Sequence, residues 1–399
     1  TDGVLSSFPL SHFCQPKRSN HPGVSNGDPY ITTFDHAVYG FQVAGEFTLV
    51  KSTVDDLEIQ SRQVPYRLVL GRQWGNSLAM NTAFAMQVGG AIVEVDKGSP
   101  LVLYIDRQRR RARPGETIAL SGGGSVRYSA QQVTVSWADG TQATVLSIGS
   151  EGVNISVNPS LSRAGRLTGL FGNDDAKRAD DFIGRDGRRY DPKRIESVGL
   201  FLFTRAQVRI LLGGFGSSWR ITQAQSLFVY PPGKTTRSYL IPGFPSTPMS
   251  LRALTPGRRL AGARACAGVS DSLRVGCELD FGATGDRRLV TATRLVQLAA
   301  GLPPATVDLS GRWSGEYGGA YHGTFTLNWT QSRSRLNGTI KLSNPRSSLG
   351  IRGTVSGRTI RFGNVGVVAY SGSVIGDSMS GSYLVPTRGG GSWSATRTG

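Results

Sequence analysis

Apolar and polar residues alternate with a period of two over most of the first 230 residues. Such alternation predicts strands whose side chains point to opposite faces of a sheet. Turn-forming residues separate these segments, as at Asp139-Gly140 and Gly122-Gly123-Gly124. The pattern predicts an antiparallel β-sandwich. We expect its strands at residues 30–34, 41–50, 57–64, 78–88, 91–95, 101–105, 117–120, 125–129, 133–137, 143–148 and 154–157.

The pattern changes to helical spacing in the second half of the chain. Residues 200–212 could form a helix, and Leu, Ala and Arg at helical spacing dominate residues 248–300. The clearest helix is predicted at 286–298, with Gly285 before it and Gly301 after it. We therefore expect an α-rich annex at residues 231–301.

The C-terminal segment predicts a separate barrel. Residues 302–305, Leu-Pro-Pro-Ala, are predicted to form a short stiff linker. Short strands joined by turns then fill residues 306–399. A closed up-and-down barrel suits such a meander because closure removes exposed edges. The eight strands are predicted at 311–317, 324–331, 335–342, 349–355, 359–362, 366–373, 378–384 and 392–396.

Composition adds a strong positive charge. The 399 residues include 45 basic and 27 acidic side chains, which give a formal net charge of +18. This charge permits contact with anionic polymers or a membrane surface. No apolar stretch reaches the ~20 residues of a membrane-spanning helix, so we expect no membrane span. The densest basic run is predicted to be a hairpin tip, either a solvated loop or a polyanion-binding surface: Arg107, Arg109, Arg110, Arg111 and Arg113.

The three cysteines predict at most one local disulfide. Cys266 and Cys277 are eleven residues apart, in a helix-like stretch followed by a strand-like one. Neither CxxC spacing nor a nearby His favours a redox or zinc site. A disulfide between them is the leading interpretation, and two buried free thiols are the alternative. Cys14 is expected to be free or to pair with another chain.

The motifs of common enzyme classes are weak or missing. The four His residues do not form HExxH, and residues 23–27 satisfy GxSxG without the strand and helix of a nucleophile elbow, so a loop is predicted there. We therefore expect a protein that is not an enzyme. Because Thr1 follows no Met or signal-like segment, we expect a mature secreted product or a fragment of a longer chain.

One segment carries metal-binding chemistry. Residues 173–181 bring together Asn173 and four carboxylates, and clustered carboxylates repel each other unless a cation lies among them. Asp174 is predicted to point outward. The alternative is a solvated turn whose carboxylates pair with Arg178, Arg185 or Arg188. The ligands of a hard metal such as Ca²⁺ would be Asn173, Asp175, the Lys177 carbonyl, Asp180 and Asp181.

Several motifs resemble a von Willebrand factor type D domain over residues 27–230. The motifs at the beginning of the match are Gly27-Asp28-Pro29-Tyr30 through Asp35, and Gly45-Glu46-Phe47-Thr48. The motifs at its end are Gly169-Leu170-Phe171-Gly172-Asn173 through Asp180-Asp181-Phe182, Ser218-Trp219-Arg220-Ile221 and Ser226-Leu227-Phe228. Residues 1–26 would then be an N-terminal extension. The resemblance implies an extracellular, Ca²⁺-binding β-sandwich in an adhesive, polymeric or matrix protein.

The resemblance also has consequences for single residues. It adds Asp35 to the calcium ligands. Family cysteines are absent at Phe171 and near Gly45, so disulfide-linked polymers are not expected and a bacterial-type version is favoured. Some related domains cleave themselves at Gly-Asp-Pro-His, but Tyr30 replaces the His here. Protein, cell-surface or matrix partners and a homo-oligomer are consistent with the resemblance.

The barrel segment resembles the lipocalin and avidin type. The resemblance rests on the opening Gly311-Arg312-Trp313 and on the strand meander. It leaves open whether a small ligand binds inside. Two roles are possible for the side chains of Trp313, Trp329, Tyr317 and Tyr370. They line a ligand cavity, or they fill the interior of the barrel as a plug.

Overall fold

The computed structural model describes residues 22–66, 78–195, 205–245, 251–299, 302, 307–332, 334–357, 359–375 and 377–398. The chain divides into two compact units, residues 1–250 with 298–301 and residues 251–297 with 302–399. Cys14 and residues 303–305 of the predicted linker lie outside the described residues. The domain boundaries derived from the sequence stay predictions.

The first sheet of the N-terminal unit is antiparallel and has eight strands. Its order is β10-β11-β12-β13-β14-β1-β2-β3. The strands are β1 Gly23–Ser25, β2 Tyr30–Thr32, β3 Val38–Gly40, β10 Thr117–Ala119, β11 Ser125–Tyr128, β12 Gln132–Ser136, β13 Gln142–Ser147 and β14 Val153–Asn158.

The second sheet has seven antiparallel strands in the order β15-β4-β5-β6-β7-β8-β9. The strands are β4 Gly45–Ser52, β5 Glu58–Pro65, β6 Ala79–Val88, β7 Ala91–Asp96, β8 Val102–Ile105, β9 Gln108–Arg110 and β15 Leu167–Thr168. The predicted mainly-β sandwich is therefore confirmed.

The two sheets share one core because alternate residues of each strand point inward. In β12, Val133 and Val135 are buried, while the alternate residues Thr134 and Ser136 are partly exposed. These valines belong to the same hydrophobic cluster as Phe84 of the second sheet. The period-two pattern thus encodes the sandwich directly.

The outer face of the second sheet is also buried, which alternation does not predict. Residues 219–240, here called the covering segment, pack across this face. Its Ile221 and Phe228 contact Ala83 and Ala85 of β6, whose small side chains leave room for them. Helices α1 Arg205–Gly213 and α2 Phe215–Ser218 precede this segment.

Two local predictions in this unit were wrong. Residues 23–25 form β1, which pairs with β14 and β2, rather than a loop. The arginine run is not a hairpin tip either. The turn lies earlier, at Asp106 and Arg107, whose φ angles are 50° and 64°, and Gln108–Arg110 form the edge strand β9. Asp tolerates the left-handed conformation that such a tight turn requires.

Three helices form the annex: α3 Pro256–Ala265, α4 Asp271–Thr284 and α5 Arg287–Ala299. The helix predicted at 286–298 is α5, and Gly285 ends α4 with φ 73°. Cys277 lies within α4, not before a strand. A disulfide joins Cys266 to Cys277, and their Cα atoms are 6.0 Å apart.

The buried disulfide gives a direct prediction. Both cysteines are almost completely buried, so we expect native protein to resist mild reductant at this pair and to show one Cys266–Cys277 peptide in non-reducing mass mapping. Alkylation of Cys266 and Cys277 in the native protein would contradict the bridge. A Cys14→Ser variant is the control for exchange with the third thiol.

The C-terminal barrel is closed, as predicted. Its eight strands follow chain order, and β16 pairs with β23 to close the cylinder. The strands are β16 Gly311–Gly319, β17 Gly323–Ser332, β18 Arg335–Ser343, β19 Arg346–Ser356, β20 Thr359–Asn364, β21 Val368–Ile375, β22 Ser378–Val385 and β23 Gly389–Arg397.

Candidate functional site

The carboxylate-rich segment is a loop that follows β15, here called the aspartate loop, residues 169–182. Leu170 and Phe171 donate their backbone N–H groups to the carbonyls of Thr48 and Leu49 in β4, which anchors the loop to the second sheet. Phe34, between β2 and β3, donates its N–H to the Phe171 carbonyl at 2.9 Å. The loop therefore meets the β2–β3 connection of the first sheet.

This meeting brings Asp35 to the loop, as the sequence resemblance implied. Asp35 Oδ1 accepts a hydrogen bond from the Ala176 N–H at 2.8 Å, and its Oδ2 accepts one from the Asp175 N–H at 3.3 Å. Thr33 Oγ1 donates to Asp181 Oδ2 at 2.6 Å. Residues 140 or more positions apart thus share one site.

Three side-chain oxygens at this site are buried without a hydrogen-bond donor: Asn173 Oδ1, Asp180 Oδ1 and Asp181 Oδ1. Burying such an oxygen without a partner costs free energy. Burial, opposed by the Thr33 hydroxyl but reinforced by Asp35 and Asp180, raises the pKa of Asp181 to about 8. The set of donor atoms, carboxylate and amide oxygens that need a positive charge, fits Ca²⁺.

The side chain of Asp175 and the carbonyl of Lys177 already accept hydrogen bonds within the aspartate loop, unlike the three oxygens without a donor. Asp175 accepts hydrogen bonds from the Lys177 N–H at 2.9 Å and from its ammonium at 3.1 Å, while the Lys177 carbonyl accepts from the Asp180 N–H at 3.2 Å. Among the described residues, no group of three or more His, Cys, Asp and Glu side chains is arranged to hold a metal. Amide and carbonyl oxygens would therefore have to complete the coordination shell of a bound metal ion.

Two of the arginines in the solvated-turn alternative, Arg185 and Arg188, contact groups outside the aspartate loop. Arg185 donates to the Ser218 carbonyl and to Thr48 Oγ1, and Arg188 lies over the Tyr190 ring at 5.2 Å. The Lys177 ammonium lies 3.1 Å from Asp175 Oδ2. Asp175 first, and then Asp180 and Asp35, raise its pKa.

Sequence reasoning missed three features of the loop. Asp174 was expected to point outward but is buried. Thr33 was not identified as a partner of Asp181. Gly172 has φ 78°, and a Cβ atom there would lie 1.9 Å from Asp181 Oδ1. The glycine is needed at this position because both the left-handed backbone and the close carboxylate exclude a side chain.

A second buried charged cluster lies under the covering segment. Arg62 Nε is 2.7 Å from Glu46 Oε1, and its guanidinium lies within about 5 Å of the rings of Phe228, Tyr230 and Tyr239. Tyr230 Oη donates to Glu46 Oε2 at 2.6 Å. Nothing in the alternation of β5 indicated that Arg62 would be buried.

Glu94 and Asp96 of β7 are buried next to each other in this cluster, which favours a proton shared between them. Glu94 Oε1 and Asp96 Oδ1 are both buried and accept no hydrogen bond from another donor, and the two carboxyl groups interact with each other. Burial and Asp96 raise the pKa of Glu94, although Arg62 and the Val229 N–H, at 2.5 Å from Oε2, oppose them. Burial therefore favours the protonated acid in the folded protein more than in the unfolded chain.

This shared proton predicts a pH dependence of stability. A raised carboxyl pKa contributes stability that is fully present below the unfolded pKa and is lost as pH rises toward the folded pKa. Glu94→Gln should mimic the protonated acid, so the variant should gain stability relative to the parent as the pH rises from 5 to 9, by roughly 1 kcal/mol for each pH unit. Urea unfolding at both pH values measures this difference. Glu116→Gln, at a partly exposed glutamate, is the control. Parallel pH profiles of the parent and Glu94→Gln would contradict the prediction.

Two members of the arginine run already have partners. Arg107 donates to the carbonyls of Phe228 and Ser226 at 3.0 Å each, and Arg110 pairs with Glu116 at 2.9 Å. Arg109, Arg111 and Arg113 are exposed along the same edge. The run is thus partly structural, and its polyanion-binding role stays a prediction.

The barrel is filled in one part and hollow in another. Trp313 and Trp329 lie in the buried core, with Arg397 at 4.7 Å over the Trp313 ring. A cavity of about 410 Å³ lies at the end where the β16–β17, β18–β19, β20–β21 and β22–β23 turns meet, here called the open end. Its lining includes Tyr317, Tyr370 and Tyr383. The tryptophans thus plug the barrel, whereas the two predicted tyrosines line a cavity.

The sandwich with its aspartate loop defines an all-β module of the class that the sequence resemblance predicted. Residues 24–188 match the family model of the von Willebrand factor type D domain. Residues 24–188 are thus similar to the type D domain, which confirms the resemblance over this range.

Two known proteins align with large parts of this chain. Human Sushi domain-containing protein 2 is 26% identical over 304 residues, which are 71% of this chain and 33% of that protein. The chain thus spans about a third of this relative. The crystal structure of transferrin binding protein B of Neisseria meningitidis aligns with 86% of this chain and with 63% of its own chain, at 12% sequence identity. The TM-score of 0.16 is too low to indicate a shared fold.

Proposed function

We propose that this protein is an extracellular, non-enzymatic structural or adhesive protein whose type D sandwich is stabilised by Ca²⁺. The buried oxygens of the aspartate loop, which lack hydrogen-bond donors, are the observation that carries the calcium proposal. The type D match and the human relative support an extracellular structural role. Protein, cell-surface or matrix partners and self-association suit such a role. Within the described residues, no helix is long and apolar enough to cross a membrane.

The residues that would hold the ion come from two connections of the sandwich. Asp35 would contribute from the β2–β3 connection, and the aspartate loop would contribute the other ligands. The bound ion would supply the positive charge that the buried carboxylates need, and it would link the two sheets. The loop ligands are Asn173, Asp175, the Lys177 carbonyl, Asp180 and Asp181.

Titration calorimetry with CaCl₂ tests the site directly. We expect one Ca²⁺ per chain, and we expect Asp181→Asn and Asn173→Ala to remove the binding heat. Asp186→Asn alters an exposed carboxylate in the following turn and is the control. Equal binding heat in Asp181→Asn and the parent would refute the proposed ligand set.

The Asp28-Pro29 bond is predicted to stay intact. Asp28 and Tyr30 are buried at the start of β2, where the Tyr30 N–H bonds to the Asp28 carbonyl at 2.7 Å. Tyr30 stands where self-cleaving relatives have His, and a phenol does not exchange protons readily near neutral pH. We expect a single intact mass after incubation from pH 5 to pH 8. A fragment that begins at Pro29 would overturn this prediction and revive self-processing.

The open-end cavity favours a second function, the binding of a small apolar ligand. Besides the tyrosines, Leu349 and Val368 line the cavity. Burial and neighbouring Tyr317 and Tyr383 raise the pKa of Tyr370 to about 12, so its phenol stays neutral. Fluorescence of 8-anilinonaphthalene-1-sulfonate should rise on binding. Leu349→Trp, which fills the cavity, should abolish this rise, whereas the outward Leu384→Trp should not, and equal signals would exclude the cavity as the binding site.

A further inference from the structure

The open end of the barrel carries an exposed apolar rim. Val365 is 100% exposed, Leu384 is 60% exposed and Val367 is 44% exposed. Among the described residues of the barrel, these are the large hydrophobic side chains that are exposed. All three lie in or next to turns of the open end, beside the cavity. Exposed apolar groups gathered at one end of a domain mark an interaction surface.

The charges around this rim are basic. Arg352 and Arg361 line an outer groove together with the three apolar residues. Arg388 lines the cavity and donates to Tyr321 Oη at 3.3 Å, and Arg346 begins β19 at the same end. Arg346 and Arg388 thus lie at the open end, whereas Arg352 and Arg361 lie along the neighbouring barrel wall.

The carboxylates of the barrel lie elsewhere. In its described residues they are Asp308, Glu316 and Asp377. Arg397 contacts Asp377 and the Asp308 carbonyl at the opposite end of the barrel, and Glu316 lies within the wall strand β16. The open end thus combines apolar tips with positive charge and has no carboxylate among the described residues of its turns.

We propose that the open end of the barrel docks on the surface of an anionic lipid bilayer. The apolar side chains project from the β20–β21 turn and from the neighbouring end of β22, beside the cavity opening, and such a small protruding apolar tip suits insertion among lipid headgroups. Arginines at this depth attract anionic lipids, and each one strengthens binding about fivefold. This inference goes beyond the proposed function and does not require a ligand in the cavity.

Vesicle flotation with the full chain tests this docking. We expect the protein to float with vesicles of phosphatidylcholine and phosphatidylglycerol in a 70:30 ratio at low salt, and not with phosphatidylcholine alone. Val365→Asp combined with Leu384→Asp should weaken binding about tenfold or more. Arg346→Gln combined with Arg388→Gln should weaken it about 25-fold, at about fivefold per charge.

Two control variants separate specific docking from general attraction of a basic protein. Val54→Asp changes an exposed valine of the sandwich, and Arg109→Gln with Arg111→Gln removes charge from the β9 edge. Both should keep parental binding. No flotation with anionic vesicles would overturn the proposal. Equal binding by the open-end variants, or loss only in the β9 variant, would also overturn it. Unchanged circular dichroism and melting of every variant show that each one is folded.

Discussion

Saturating Ca²⁺ is expected to raise the free energy of unfolding of the sandwich by about 2.7 kcal/mol at ~100 times the dissociation constant. The ion would bind the folded site, where Asp35 and the aspartate loop meet, and not the unfolded chain. For a domain of this size the gain corresponds to a midpoint increase of roughly 5 to 10 °C. Thermal unfolding in CaCl₂ and in EGTA measures this increase. Identical midpoints in the two solutions would contradict a Ca²⁺ site in the sandwich.

Variants of the loop distinguish a metal site from a solvated turn. Asp175→Ala and Asp181→Asn should both lose the Ca²⁺ response. Without Ca²⁺, Asp181→Asn should be at least as stable as the parent, because it removes a buried carboxylate that faces Asp35 and Asp180. Asp186→Asn should keep the full response. A loss of stability in Asp181→Asn without Ca²⁺ would instead indicate that this carboxylate has a stabilising cationic partner within the protein.

Most of the sandwich follows from local alternation, and its exceptions have physical causes. Strands such as β12 bury one face only, so Val133 and Val135 identify it in the sequence. The strand β1 escaped detection because three residues are too few to show a period. The buried outer face of β6 escaped because its cover, Phe228, lies about 145 positions away in the sequence.

The aspartate loop shows the same division between local and long-range information. Local crowding of carboxylates indicated a cation site within residues 173–181. The contribution of Asp35 came from family resemblance, because no local pattern connects a β2–β3 turn with a loop about 140 residues later. The burial of Asp174 depends on a left-handed backbone with φ 59°. A sequence pattern alone does not assign that conformation to an aspartate.

The buried Arg62 under the covering segment gives the second large expected effect, a loss of stability on substitution. Glu46, Arg62, Ala83 and Asp96 form one cross-strand row on the outer face of the second sheet. The Arg62 side chain is only 6% exposed and lies between Glu46 and Glu94. Its stacking on Phe228 and Tyr239, at 4.3 Å each, fixes the covering segment to the sheet.

Arg62→Ala should therefore destabilise the sandwich by about 3 to 5 kcal/mol, because it leaves Glu46 buried without its charge partner. Arg110→Ala, which breaks an exposed pair with Glu116, should cost less than about 1 kcal/mol. Combining Arg62→Met with Glu46→Met should recover much of the loss, since an apolar pair needs no desolvated charge. Urea unfolding of the four proteins measures these differences. If Arg62→Ala costs no more than Arg110→Ala, the covering segment is held by apolar packing and not by the buried guanidinium.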